Sequence, residues 1–154
     1  MTKINKIEII GLGQVGNYLY RELNLKKKNI EIKSGKKIQI SAVSAKNRNK
    51  KRKYKINKKI FYTDPIKIIK NIKPDVLFEV IGQSDGISKK VVETALRNQI
   101  HVITPNKGLI SKHGDYLSKL AEDNNVNLEF EASVAGGIPI LKTIKEGLAT
   151  NKIK

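Results

Sequence analysis

Residues 6–24 read KIEIIGLGQVGNYLYRELN: an apolar run, three glycines within six positions, then an amphipathic stretch. The run 6–10 has the character of a buried strand, and Val15, Leu19 and Leu23 recur at helical spacing. Between them Gly11, Gly13 and Gly16 form G-x-G-x-x-G. In a strand–turn–helix setting the first glycine permits the tight turn and the second lets the backbone approach a pyrophosphate. The third allows the helix to pack closely on the strand. The free N–H groups and the dipole at the helix start favour an anion. Gly11, Leu12, Gly13, Gln14, Val15 and Gly16 are therefore expected to hold the diphosphate of a dinucleotide. A glycine-rich turn without a ligand is the plain structural reading of the same residues.

Outward from this stretch, strands and helices alternate. A second strand is expected over 37–44, followed by a basic loop over 45–59. Asp64 and Pro65 are expected at the N-cap and first position of a helix, where the missing N–H of proline is harmless. A third strand is read over 74–82, begun by a proline that ends that helix. Next comes a helix capped by Ser84 or Asp85 and carrying Val91, Val92, Ala95 and Leu96. A fourth strand spans 101–104, a helix 108–124, a fifth strand 126–132, and a last helix runs from Ile138 or Pro139 to about Ala149. Such alternation specifies a parallel sheet with right-handed crossovers. The expected architecture is one α/β domain, a Rossmann-like doubly wound parallel sheet.

Composition narrows the function. The 154 residues include no cysteine, which excludes disulfides, thiolate metal sites and thiol nucleophiles. No apolar run approaches membrane-spanning length, and the strand pattern begins too early for a signal peptide, so a cytoplasmic protein is expected. The net charge of +17 raises the question of nucleic acid. Much of it is local: residues 45–59 hold nine basic residues and no acidic one. Aromatics make up 5% and form no basic–aromatic platform for stacking bases, so no nucleic-acid role is expected.

The end of the second strand bears on the choice of dinucleotide. NAD sites usually carry an Asp or Glu there for the ribose 2′-hydroxyl. Here no carboxylate occurs between Glu31 and Asp64. Lys46 and Arg48 stand where a 2′-phosphate would lie, and Lys50, Lys51 and Arg52 extend the positive field. NADP(H) is expected in preference to NAD(H). For residues 53–59 a solvated basic loop is the better reading.

Two later segments lie where doubly wound sheets bind ligands. Thr104, Asn106 and Lys107 follow a strand's carboxyl end, and Lys107 places a cation where the helix dipole opposes it. Glu131 is read as ending a strand and is followed by Gly136, Gly137 and Pro139. Such a corner presents carbonyls beside a carboxylate, oxygen donors suited to a cation. It is equally an ordinary strand-to-helix corner. His101 and His113 have no Asp or Ser arrangement suggesting catalysis and are read as structural.

Together GLGQVG, EVIG at 79–82, TPNKG at 104–108 and EASVAGGIPI at 131–140 resemble homoserine dehydrogenase, over about residues 6–153. The resemblance implies hydride transfer with NAD(P)H between L-homoserine and L-aspartate 4-semialdehyde, a step of threonine, methionine and isoleucine synthesis. It implies coenzyme contacts from Gly11 through Gly16, Lys46, Arg48, Gly82 and Thr104. Lys107 would lie near the nicotinamide and the reacting oxygen as the catalytic group within this chain. Glu131, with the carbonyls of Val134, Gly136 and Ile138, resembles a sodium site. Where the family usually has an arginine after the second strand, this sequence has Lys46.

The family's substrate-binding Glu and Asp and a second lysine come after the last helix read here and have no counterpart in residues 1–154. The expectation is a coenzyme-binding domain over 1–132, with 133–154 beginning the connection to a substrate-binding part. On this reading the small-molecule substrate is turned over only if that part is supplied, and dimerisation belongs to the full-length family. Two alternatives stay open: a non-catalytic dinucleotide-sensing module, or a truncated gene product.

Overall fold

A computed structural model describes residues 3–134 of the chain. The expected helix over 138–149 lies outside the described residues. The first strand, β1 (Ile4–Ile10), leads through the glycine turn into α1 (Gln14–Leu25). A further helix, α2 (Lys27–Ser34), follows directly and ends on Gly35 in the left-handed region, φ 66°. Then come β2 (Lys37–Ser44), the basic loop, a 3-10 turn over Lys58–Ile60, and the short β3 (Phe61–Tyr62). The second half runs α3 (Pro65–Ile72), β4 (Val76–Glu79), α4 (Ile87–Arg97), β5 (His101–Ile103), α5 (Lys107–Asp123), β6 (Leu128–Glu129) and α6 (Glu131–Val134). No described helix is long and apolar enough to cross a membrane.

The six strands form one sheet in the order β3-β2-β1-β4-β5-β6, and all five pairings are parallel. This is the doubly wound order, with its reversal between β1 and β4. Each face has its own core. Ile7 and Ile9 of β1 pack with Leu12, Val43 and Phe61 against Leu19 and Leu23 of α1 and Ile30 of α2. On the opposite face Ile10, Leu77 and Val102 pack against Ile69 of α3, Val91, Val92 and Leu96 of α4, and Leu109 and Leu117 of α5. The strand period of two sends alternate β1 side chains into the two layers.

Several expectations are met and several are corrected. Asp64 caps α3: its Oδ1 accepts from the N–H groups of Ile66 and Lys67 at 2.9 and 3.2 Å, with Pro65 next. Neither Ser84 nor Asp85 caps α4. Its N-cap is Gly86, at φ 65°, and Asp85 instead pairs with two residues of α5. Glu131 does not end a strand. Ladder pairing stops at Glu129, opposite Ile103 at the end of the three-residue β5, and Glu131 opens α6. Helix α2 and strand β3 were absent from the sequence reading.

Candidate functional site

The glycine turn closes only with glycines at two positions. Gly11 has φ 102°, and a Cβ there would stand 2.5 Å from Val80 O. A Cβ on Gly16 would overlap Gly11 O. Turn, helix and the segment after β4 thus meet backbone to backbone, fastened by Gly11 N donating to Ser44 O and Val80 N to Ile10 O, each at 2.8 Å. Gly13 is different. It is the N-cap of α1, no side chain caps the helix, its first turn has no acid, and a Cβ on Gly13 would meet nothing within 4 Å. Open space therefore faces uncapped N–H groups at a positive helix end, the arrangement that receives a phosphate.

A cleft of about 600 Å³ opens there, lined by Leu12, Gly13, Gln14 and Asn17 on one side and Lys50, Lys51, Arg52 and Lys53 on the other. Val15 and Tyr18, both exposed, extend the outer surface of α1's first turns. Among the described residues no carboxylate lines the cleft. Lys46 is exposed and outside it. Arg48 lies in a neighbouring hollow, its Nη2 donating to Lys58 O at 2.7 Å and its guanidinium 5.7 Å from the centre of the Phe61 ring. The cations bordering the cleft are thus Lys50, Lys51 and Arg52, expected to extend the positive field, together with Lys53, expected in a solvated loop; Lys46 and Arg48 are not among them. Gly82, at φ 86°, is exposed on the segment after β4.

On the far side of the strand reversal, a buried polar network organises the ends of β4 and β5. Glu79 is fully buried; its Oε2 accepts from Thr104 Oγ1 at 2.6 Å and from Asn106 Nδ2 at 3.3 Å, and its Oε1 from Ile81 N at 2.9 Å. Asn106 also donates from Nδ2 to Gln83 O at 2.7 Å, and its Oδ1 caps α5 by accepting from Leu109 N at 3.1 Å. The Thr104 hydroxyl is thus committed to Glu79, with its residue 1% exposed. Lys107, the first residue of α5, is exposed, and its ammonium forms no hydrogen bond or ion pair among the described residues. The segment 80–86 packs closely on the start of α5, where a Cβ on Gly108 would stand 3.0 Å from the Ser84 Cβ.

Asp85 ties the same segment to α5 from outside, with Oδ2 2.6 Å from Lys112 Nζ and Oδ1 2.6 Å from His113 Nε2. The Lys112 ammonium, and next the His113 ring, hold the Asp85 carboxyl well below the usual carboxylate range. The Asp85–His113 pair is a strap between loop and helix. Glu79, Asn17 and Tyr54 were not singled out from sequence. The signal for Glu79 was a lone carboxylate ending the buried run VLFE. For the other two no local signal existed.

Among the described residues no group of three or more His, Cys, Asp or Glu is placed to hold a metal ion. Of the four residues the resemblance assigns to sodium, Glu131 and Val134 lie in α6, whereas Gly136 and Ile138 lie outside the described residues. The two described residues of that set offer one carboxylate and one carbonyl, oxygen donors of the kind a hard cation takes.

Residues 11–131 match the family description "Homoserine dehydrogenase, NAD binding domain". The chain belongs to the homoserine dehydrogenase family. It is 38% identical over 154 residues to the homoserine dehydrogenase of Neisseria gonorrhoeae, an alignment covering 100% of this chain and 35% of that protein. A crystal structure of a homoserine dehydrogenase from Thiobacillus denitrificans matches with a TM-score of 0.84 at 29% identity, over 99% of this chain and 35% of that one. A hyperthermophilic archaeal homoserine dehydrogenase mutant in complex with NADPH shares the fold, with a TM-score of 0.75 at 22% identity over 96% of this chain and 50% of that one. The chain spans about a third of the length of the curated relatives it matches. The matched residues, 11–131, correspond to the part of the family described as its NAD-binding domain.

Proposed function

We propose that this chain is the NADP(H)-holding part of an enzyme interconverting L-homoserine and L-aspartate 4-semialdehyde, with residues 1–132 as the coenzyme domain and 133–154 leading toward the substrate-binding part. The observation that carries the reading is the cleft between an uncapped helix start and Lys50, Lys51, Arg52 and Lys53. The N–H groups opening α1 hold the diphosphate at Gly13, where the backbone leaves room for it. The lysines bordering the cleft favour a coenzyme with an additional phosphate, and no carboxylate among the lining residues repels it. NAD(H) fits the same turn without using that charge. The archaeal neighbour in complex with NADPH has the same fold, in keeping with a nicotinamide dinucleotide as the ligand.

The nicotinamide supplies the hydride chemistry when the coenzyme is bound. The protein's share is position and charge. Lys107, set at the start of α5 by the Glu79–Thr104–Asn106 network, has an ammonium free to stabilise negative charge on a substrate oxygen and to give it a proton. Glu131, Val134, Gly136 and Ile138 are proposed to contribute to a sodium site, as the resemblance implies. The substrate carboxylates and the family's second lysine belong to the part this chain does not span, as does most of the family's dimer contact. The 154-residue chain is therefore expected to bind coenzyme yet turn over homoserine negligibly.

Calorimetric titration tests this. NADPH is expected to bind at least about tenfold more tightly than NADH at low ionic strength, with the gap narrowing as salt screens the lysines. Tighter binding of NADH would overturn the choice of coenzyme. A strong homoserine-dependent NADPH signal from the chain alone would overturn the division of labour.

A further inference from the structure

Asn17 is buried on α1, one residue beyond the last glycine of the turn, and only 4% exposed. Both halves of its amide reach one residue of the basic loop. Nδ2 donates to Tyr54 O at 2.9 Å, and Oδ1 accepts from Tyr54 N at 2.8 Å. This is a two-point, strand-like link made by a side chain to backbone, and it gives both polar atoms of the buried amide a partner. Arg52 joins the same two loops, with Nε donating to Leu12 O at 3.3 Å, Nη2 to Asn47 O at 2.7 Å, and its guanidinium 5.2 Å from the Phe61 ring centre. The Tyr54 ring carries Arg21 at 4.8 Å and Lys53 at 5.5 Å.

A loop with nine cations in fifteen residues repels itself, and left unheld it spreads over many conformations. Any ligand that needs those cations in one place must then offset the ordering cost on binding. Here the ordering is built into the folded chain. The link is anchored to the helix whose N-terminus faces the cleft, so the cations are registered against the phosphate turn itself.

We propose that Asn17 is a positioning residue for coenzyme selectivity: by clamping the Tyr54 backbone it holds Lys50, Lys51 and Lys53 at the mouth of the cleft, where they meet the phosphate that distinguishes NADPH from NADH. The inference rests on the coenzyme reading above. Both coenzymes share the diphosphate held at α1, and only one uses the clamped loop. Freeing the loop therefore acts on one affinity more than on the other, which is what selectivity consists of.

The test is titration of the Asn17→Ala chain with NADPH and NADH at low and high salt. NADPH affinity is expected to fall about tenfold while NADH affinity changes less than about threefold, and the salt dependence of NADPH binding should flatten. A purely structural asparagine would weaken both coenzymes alike. Hydrogen exchange on the parent chain gives a reading that needs no variant: the Tyr54 amide should be strongly protected before any coenzyme is added. An unprotected Tyr54 amide, or equal loss of both coenzymes in Asn17→Ala from a selective parent, overturns the inference alone. A parent chain that binds neither coenzyme, or binds both equally, overturns the reading beneath it and the inference together.

Discussion

Replacing Glu8 with valine is expected to stabilise the folded chain by about 3 kcal/mol at pH 7, an unusual result for a substitution in a central strand. Glu8 lies on β1 between β2 and β4, opposite Ala42 and Leu77, and shares the Ile10 face by strand alternation. It is fully buried, and neither carboxyl oxygen has a hydrogen-bond partner among the described residues. Burial pushes its pKa from 4.5 up to about 8. The folded chain therefore keeps this proton at neutral pH while the unfolded chain releases it. Below pH 4.5 both states hold the proton and the penalty vanishes. Between 4.5 and about 8 only the unfolded state ionises, so stability falls as pH rises, and above about 8 the dependence levels off. At pH 7 the penalty is about 3 kcal/mol, from 2.5 pH units at about 1.4 kcal/mol each. Valine removes the titrating group and suits a strand. Urea unfolding from pH 4 to 9 should show the parent losing stability across this window and Glu8→Val losing much less. A parallel pH dependence for the two chains would contradict the assignment.

Glu79 gives the opposite sign. It too is a fully buried glutamate on the sheet, yet three donors converge on it, from Thr104, Asn106 and Ile81. Glu79→Ala leaves those donors without their acceptor and should destabilise the chain by about 3–4 kcal/mol, at about 1 kcal/mol or more for each orphaned group. Glu79→Gln keeps the shape and one carbonyl acceptor, and should cost about 1 kcal/mol. Denaturant midpoints would measure both. Equal midpoints for Glu79→Ala and the parent would mean that the network does not hold the ends of β4 and β5 together. The contrast between Glu8 and Glu79 lies entirely in their partners.

What could be read from the sequence was local in origin. The apolar run before Gly11, the spacing of Val15, Leu19 and Leu23, and the Asp64–Pro65 start of α3 each act within one turn of the chain, and each stands where expected. The doubly wound order followed because alternating elements have few other ways to bury both faces of a parallel sheet. Strand β3 escaped because Phe61 and Tyr62 are strand only through pairing with Val43 and Ser44. Helix α2 escaped because it buries no residue fully and only Ile30 packs against the core, which leaves little periodicity among the lysines. At Glu131 the alternation through LEFEA points to a strand, whereas pairing depends on where β5 stops. The site shows the same division. Gly11 and Gly16 could be found by spacing. Links that span 25 residues from Glu79 to Thr104, 28 from Asp85 to His113 and 37 from Asn17 to Tyr54 have no local signature.

The sharpest test of the whole account is at Gly13, where an added side chain meets nothing within 4 Å and the backbone φ is −70°. Aspartate is a favoured N-cap, so Gly13→Asp should fold with an unchanged or slightly raised melting temperature. Its carboxylate would occupy the space assigned to the diphosphate and turn the uncapped N–H groups of α1 against the ligand. Calorimetric titration with NADPH should show clear binding to the parent and a loss of about a hundredfold or more in the folded variant. NADPH binding of equal strength in the two chains would contradict the placement of the coenzyme at the head of α1.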